Sequence, residues 1–191
     1  MADPMPALLI IDMQNDFVQP GSPVTVAGAL ATVPSIRRLL DAFRAQRLPV
    51  LHVTRTYRTD GSDVELFRRE SFLRGPQYLL PGSVGAQIVP ELAALASEHV
   101  LVKPRFSAFM GTPLDLVLRR LGVRELVIAG TQYPNCIRAT VLDAVCLDYR
   151  VTVITDGCSA QTDAIAQANI ADMASIGVFC ITTQQYLTTS V

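Results

Sequence analysis

Histidine is nearly missing from this chain: of 191 residues only His52 and His99 carry an imidazole. A histidine-built metal site is hard to assemble from two such residues, and a cysteine–histidine catalytic pair is poorly supplied. The four cysteines, Cys136, Cys146, Cys158 and Cys180, all fall in the C-terminal third and form no C-x-x-C pair. Zinc-ligand spacing is therefore absent, and a disulfide framework is not expected with so much apolar core and no secretion signal. Met1 to Pro6 carry no basic segment, and the apolar run Ala7 to Ile11 ends in Asp12, too short for a signal peptide or a membrane span. The expected compartment is the cytosol. Charge is also scarce: 17% of residues are charged and the formal net charge is −1, which gives no footing for nucleic acid or an anionic membrane. No G-x-G-x-x-G follows the first apolar run, so a dinucleotide site is not expected either.

What is present is core. Half the residues are hydrophobic, and no repeat, low-complexity tract or linker divides the chain, so one domain over residues 1–191 is expected. Short apolar runs of strand character recur at Ala7–Ile11, Val50–Val53, Val100–Val102, Arg124–Gly130, Val151–Ile154 and Val178–Ile181. Between them lie helical patterns over Val33–Gln46, Val84–Ala96, Leu114–Leu121, a stretch from Cys136 to near Tyr149, and Asp163–Ile176. The alternation predicts an α/β fold of three layers, a doubly wound six-stranded parallel sheet with helices on both faces. Thr54 to Ser83 breaks the pattern with five arginines among glycines and prolines, a long loop of the kind that serves as lid, binding loop or subunit contact.

Three polar residues stand where apolar strands end or where the next helix opens: Asp12, Lys103 and Cys136. A parallel sheet delivers all three to one edge, the edge where such sheets bind ligands. Asn135 reads as an N-cap, which puts Cys136 in a first helical turn, where the helix dipole lowers a thiol pKa. On position alone a nucleophile and a buried structural cysteine are equally open. Each of the three residues also has a bland reading, a turn cap, a solvated strand end or core filler; jointly those readings become strained. With His52 read as a satisfied strand histidine and His99 at the wrong end of its strand, Asp12 is the better base, taking the thiol proton and returning it to a leaving amine. Lys103 would hold both charges, and backbone N–H groups around Gln132 to Cys136 would bind an oxyanion.

These segments resemble the isochorismatase-like cysteine hydrolase superfamily, which includes nicotinamidases and N-carbamoylsarcosine amidase. The aspartate motif is matched by Asp12-Met13-Gln14-Asn15-Asp16-Phe17, the lysine motif by Lys103-Pro104-Arg105-Phe106-Ser107-Ala108-Phe109, and the nucleophile motif by Gly130 through Cys136 to Thr140. The resemblance implies a triad of Asp12, Lys103 and Cys136, a thioester-type intermediate, and a cis peptide at Thr131–Gln132 beside the oxyanion donors Gln132 and Cys136. Two departures stand out. His52-Val53-Thr54-Arg55-Thr56-Tyr57-Arg58 lacks the histidine pair of the nicotinamidase metal motif, so neither a metal nor another cofactor is expected. Tyr133-Pro134-Asn135 replaces the usual Thr-Asp-Tyr type run.

A cysteine nucleophile favours C–N hydrolysis of a small amide or ureido substrate. The rivals are an isochorismatase-type ether hydrolase, which needs no such cysteine, and a catalytically silent binding member of the fold. Phe17, Phe106, Phe109 and Tyr133 are candidate pocket walls, with core packing the alternative for the three phenylalanines. Arg55, Arg58 and Arg68 are candidates for a substrate carboxylate, and Glu65 either enters the site or pairs with Arg68 or Arg69. Cys146, Cys158 and Cys180 read as structural. A homo-oligomer is expected, with Leu66, Phe67, Phe72, Tyr78, Leu79 and Leu80 as contact residues.

Overall fold

A strand buried on both faces needs apolar side chains at every position, and the first strand, β1 (Met5–Ile11), has them from Ala7 onward. Ala7, Leu9 and Ile11 point into one core, Leu8 and Ile10 into the other, as the two-residue period of a strand requires. The computed structural model describes residues 5–189, so the outermost ends of the expected domain lie outside it. Five more strands, β2 (Val50–Thr54), β3 (His99–Val102), β4 (Val123–Thr131), β5 (Arg150–Ser159) and β6 (Phe179–Ile181), complete a sheet in the order β3-β2-β1-β4-β5-β6. Every neighbouring pair is parallel.

Helices cover both faces. On one side lie α1 (Asn15–Val18), α2 (Ala29–Ala45) and α7 (Thr183–Thr189), whose Val18, Ile36, Leu39, Phe43 and Tyr186 share the core of Leu8 and Ile10. On the other lie α4 (Leu114–Arg120), α5 (Arg138–Cys146) and α6 (Asp163–Ser175), with Leu114, Leu118, Val141 and Met173 packed against Leu9 and Ile11. The doubly wound α/β reading holds. Strand order reverses between β1 and β4, so the crevice beyond their C-terminal ends is the expected ligand position. Among the described residues no helix is long and apolar enough to cross a membrane.

The differences from the sequence reading have local causes. α2 starts at Ala29, four residues before Val33, and carries Pro34 inside; burial of Ala29, Thr32 and Val33 offsets the lost N–H. The helix expected over Val84–Ala96 does not form, apart from a 3₁₀ turn at Pro90–Leu92. Its backbone pairs with the β1–α1 segment instead: Asn15 N–H donates to Gln87 O, Asp16 N–H to Gly85 O, and Val89 N–H to Met13 O. The long loop contains a true helix, α3 (Leu66–Arg74). β5 runs five residues past Ile154, pairing Cys158 and Ser159 with Gly130 and Thr131 after a bulge. His52 is a buried strand histidine but only half satisfied, contrary to expectation: Nε2 lies 3.1 Å from Glu98, which also takes two hydrogen bonds from Arg44 on α2, while the buried Nδ1 has no partner.

Candidate active site

Asp12 follows β1 directly, with φ +52, and its N–H donates to Val53 O at 2.8 Å. The left-handed backbone ends the strand and leaves the carboxylate fully buried at the switch point. Lys103 follows β3, two strands away, anchored by N–H donation to Thr54 O at 2.9 Å. Its side chain places Nζ 2.8 Å from Asp12 Oδ2 and 3.3 Å from Cys136 Sγ. Both charged groups are at most 1% exposed, so solvent does little to screen the pair.

Cys136 lies in a π-helical turn, Tyr133–Ile137, that runs straight into α5. Asn135 is thus inside the turn and caps nothing, contrary to the sequence reading; Gln132 holds the cap position, and its carbonyl accepts from the N–H groups of Asn135 and Ile137. The peptide bond between Thr131 and Gln132 is cis. Gly130, at φ +130, lies flat against β1: a Cβ there would fall 2.1 Å from Ile11 O. Only glycine lets β4 come this close to the residue that carries Asp12.

The thiol electrostatics run opposite to expectation. Burial pushes the Cys136 thiol up to about 12, the Asp12 carboxylate adds to the rise, and Lys103 and Arg55 pull it down. A position in the first turn before a helix does not outweigh desolvation by burial together with the charge of a neighbouring carboxylate. Burial and the Asp12 carboxylate thus favour the protonated thiol, and the Asp12–Lys103 ion pair lies beside it.

Above these residues opens a pocket of about 580 Å³, whose lining includes Asp12, Cys136, Thr131, Gln132, Phe17, Phe106, Arg55 and Arg68. Four other candidates are not in the wall. Phe109 packs on Tyr149, with ring centroids 6.0 Å apart. Tyr133 is fully buried under the site, its hydroxyl donating to Thr155 O at 3.3 Å. Glu65 stands behind the wall, paired with Arg55 and Arg68 and accepting from Tyr57 Oη at 2.7 Å. Arg58 faces solvent beside Asp60. Cys146 is exposed rather than structural, whereas Cys158 is buried as expected.

Two residues with no assigned role hold the site. Gln14 accepts from Arg55 N–H and donates to Arg55 O and Ala86 O, joining the ends of β1 and β2 to the loop. Thr140 donates to Cys136 O at 2.7 Å and accepts from Ala108 N–H at 2.9 Å, tying the nucleophile turn to the segment after Lys103. A buried polar side chain must find partners, and that alone marked them; the partners are too distant in sequence to be read from spacing. Among the described residues no group of three or more His, Cys, Asp or Glu is placed to hold a metal ion.

Comparison with known proteins gives one consistent answer. The isochorismatase domain family matches residues 6–185. A probable inactive nicotinamidase from Arabidopsis thaliana is 48% identical over 177 residues, covering 90% of this chain and 89% of that protein. N-carbamoylsarcosine amidase from Arthrobacter sp is 32% identical over 170 residues, covering 88% of this chain and 64% of the relative. The solved structure of an isochorismatase family protein from Desulfovibrio vulgaris superposes with a TM-score of 0.94 at 51% identity, covering 98% of each chain.

Proposed function

The chain belongs to the isochorismatase-like family of hydrolases, and from that membership we propose that it hydrolyses a small amide or ureido C–N bond with Cys136 as nucleophile. The observation that carries the reading is the placement of Lys103 Nζ 2.8 Å from Asp12 and 3.3 Å from Cys136 Sγ, at the base of the pocket.

Sulfur attacks the carbonyl carbon as Asp12 takes the thiol proton, and Lys103 stabilises the sulfur charge as it develops. The backbone N–H groups of Gln132 and Cys136 receive the oxyanion. Collapse breaks the C–N bond, with Asp12 returning its proton to the leaving nitrogen and the acyl group left on sulfur. Water, deprotonated by Asp12, then attacks the thioester, releases the acid and restores the thiol. The stretch from His52 to Arg58 lacks the histidine pair of the nicotinamidase metal motif, so nicotinamide is not the proposed substrate. An ether hydrolase would have no use for a thiol held this way.

A second reading, a catalytically silent member, is favoured by the name of the Arabidopsis relative, which is 48% identical and called probable inactive. Ammonia release from a panel of small amides and ureides, wild type beside Cys136→Ala, tests both. Turnover by the wild type, lost by about 10⁴-fold in the variant, supports the hydrolase. No turnover across the panel supports the silent reading, and turnover that survives the substitution removes the thiol from the mechanism.

A homo-oligomer belongs to the same proposal, supported by the exposure of Leu66 (91%) and Phe67 (72%) on α3. Phe72, Tyr78 and Leu79, also expected at a contact, are buried in this chain's own core and unavailable for one.

A further inference from the structure

Two guanidinium groups stand in the pocket wall beside Cys136, and one carboxylate serves both. Arg55, 1% exposed, donates to Glu65 and, at 3.0 Å, to Pro104 O; its buried Nε has no hydrogen-bond partner. Arg68 is held more loosely. Its buried Nε lies 3.4 Å from the other Glu65 oxygen without making a hydrogen bond, and Nη1 donates to the Tyr57 hydroxyl at 3.3 Å. Both guanidinium planes lie over the same ring, Phe106, at 5.7 and 5.8 Å from its centroid. With the Asp12–Lys103 pair included, three cations face two carboxylates around Cys136.

A buried cation without a full complement of acceptors is costly, and an unpaired N–H adds to the cost. Phe106 offers both groups no acceptor and Glu65 is shared between them, so one positive charge has no carboxylate of its own, which suits a planar anion and gives a neutral amide no matching charge. Arg68 is the more available of the two, because its own ion pair is long and its side chain is 17% exposed.

We propose that Arg68, backed by Arg55, binds a substrate carboxylate, so that the substrate is an anionic amide or ureide whose scissile carbonyl lies at Cys136. The inference rests on the reading of this pocket as a substrate site, and its test does not need turnover. Cys136→Ala protein is titrated calorimetrically with ureidoacetate and with its uncharged amide, ureidoacetamide. Ureidoacetate binds more tightly by about tenfold or more. In Cys136→Ala/Arg68→Gln the ratio falls to near one, and in Cys136→Ala/Arg68→Lys, which keeps the charge without the fork, part of it survives. A ratio near one in the Cys136→Ala protein, binding of neither compound, or a ratio that Arg68→Gln leaves unchanged overturns the proposal. The two readings fail separately: a preserved binding ratio with no ammonia from wild type sinks the hydrolase alone, and ammonia release with a ratio near one sinks the carboxylate site alone.

Discussion

In the proposed mechanism Asp12 has two opposed effects on Cys136: its charge adds to the rise that burial gives the thiol pKa, and its carboxylate receives the proton during attack. Removing the charge separates these effects. In Asp12→Asn the thiol pKa falls below about 12, because the Lys103 ammonium is no longer opposed. Iodoacetamide labelling of Cys136 at pH 8 therefore becomes faster than in wild type, while amide turnover drops by about 10²–10⁴-fold for want of a base. Slower or unchanged labelling would mean that Asp12 does not govern the thiol. In the wild type, labelling keeps rising with pH well beyond neutrality and does not level off there. The three residues themselves were legible because each ends an apolar run or opens the segment after one. The thiol's protonation state was not, since it depends on burial and on a carboxylate more than a hundred positions away in the sequence.

At the scale of elements, the site depends on two strand ends being close and one turn being tied down. Gly130→Ala puts a Cβ 2.1 Å from Ile11 O and 2.7 Å from Ile11 N, against backbone that cannot rotate away. The substitution is expected to cost about 3 kcal/mol or more in chemical denaturation; a loss under about 1 kcal/mol would show that β1 and β4 can spread. Thr140→Val keeps the shape but leaves Ala108 N–H and Cys136 O without their partner. About 1–3 kcal/mol of stability goes with it, and kcat falls further than Thr140→Ser, which restores the hydroxyl. Equal kcat in the two variants would leave Thr140 a purely structural tie. Strands and most helices were readable from period alone, because the parallel sheet is apolar on both faces. The segment Val84–Ala96 was misread for a physical reason: its apolar spacing suits a helix, but its backbone groups are taken by Met13 to Asp16, a pairing no local pattern reports.

Across the whole molecule, the buried ionisable groups set a stability profile with two limbs. Glu98 loses hydration on burial, which alone would raise its pKa, yet hydrogen bonds from Arg44, Leu95 N–H and His52 outweigh this and hold it at about 2 against an ordinary 4.5. A carboxyl depressed in the fold stabilises fully above its unfolded value, and that contribution is lost as pH falls from about 4.5 through about 2. His52 works in the same direction, since burial lowers its pKa and its protonation opposes the fold. On the alkaline side Cys136 and Tyr57 are both raised by burial, to about 12 from 9.0 and 10.0, so their contributions are present below the unfolded values and lost as pH rises through about 12. Denaturant midpoints are thus expected to be flat between about pH 7 and 9, to begin falling below about 6.5 as His52 titrates, and to fall on the alkaline side above about 9. The acid limb is the sharper test, because Glu98 joins α2, β2 and the start of β3 in one network. Glu98→Gln should lose about 2–3 kcal/mol at pH 7, where charge-assisted bonds become neutral ones, and much less at pH 3, where the unfolded chain already holds the proton on Glu98 and folding of wild type must release it. A loss equal at both pH values would assign Glu98 a packing role and move the acid sensitivity of the fold to other carboxylates.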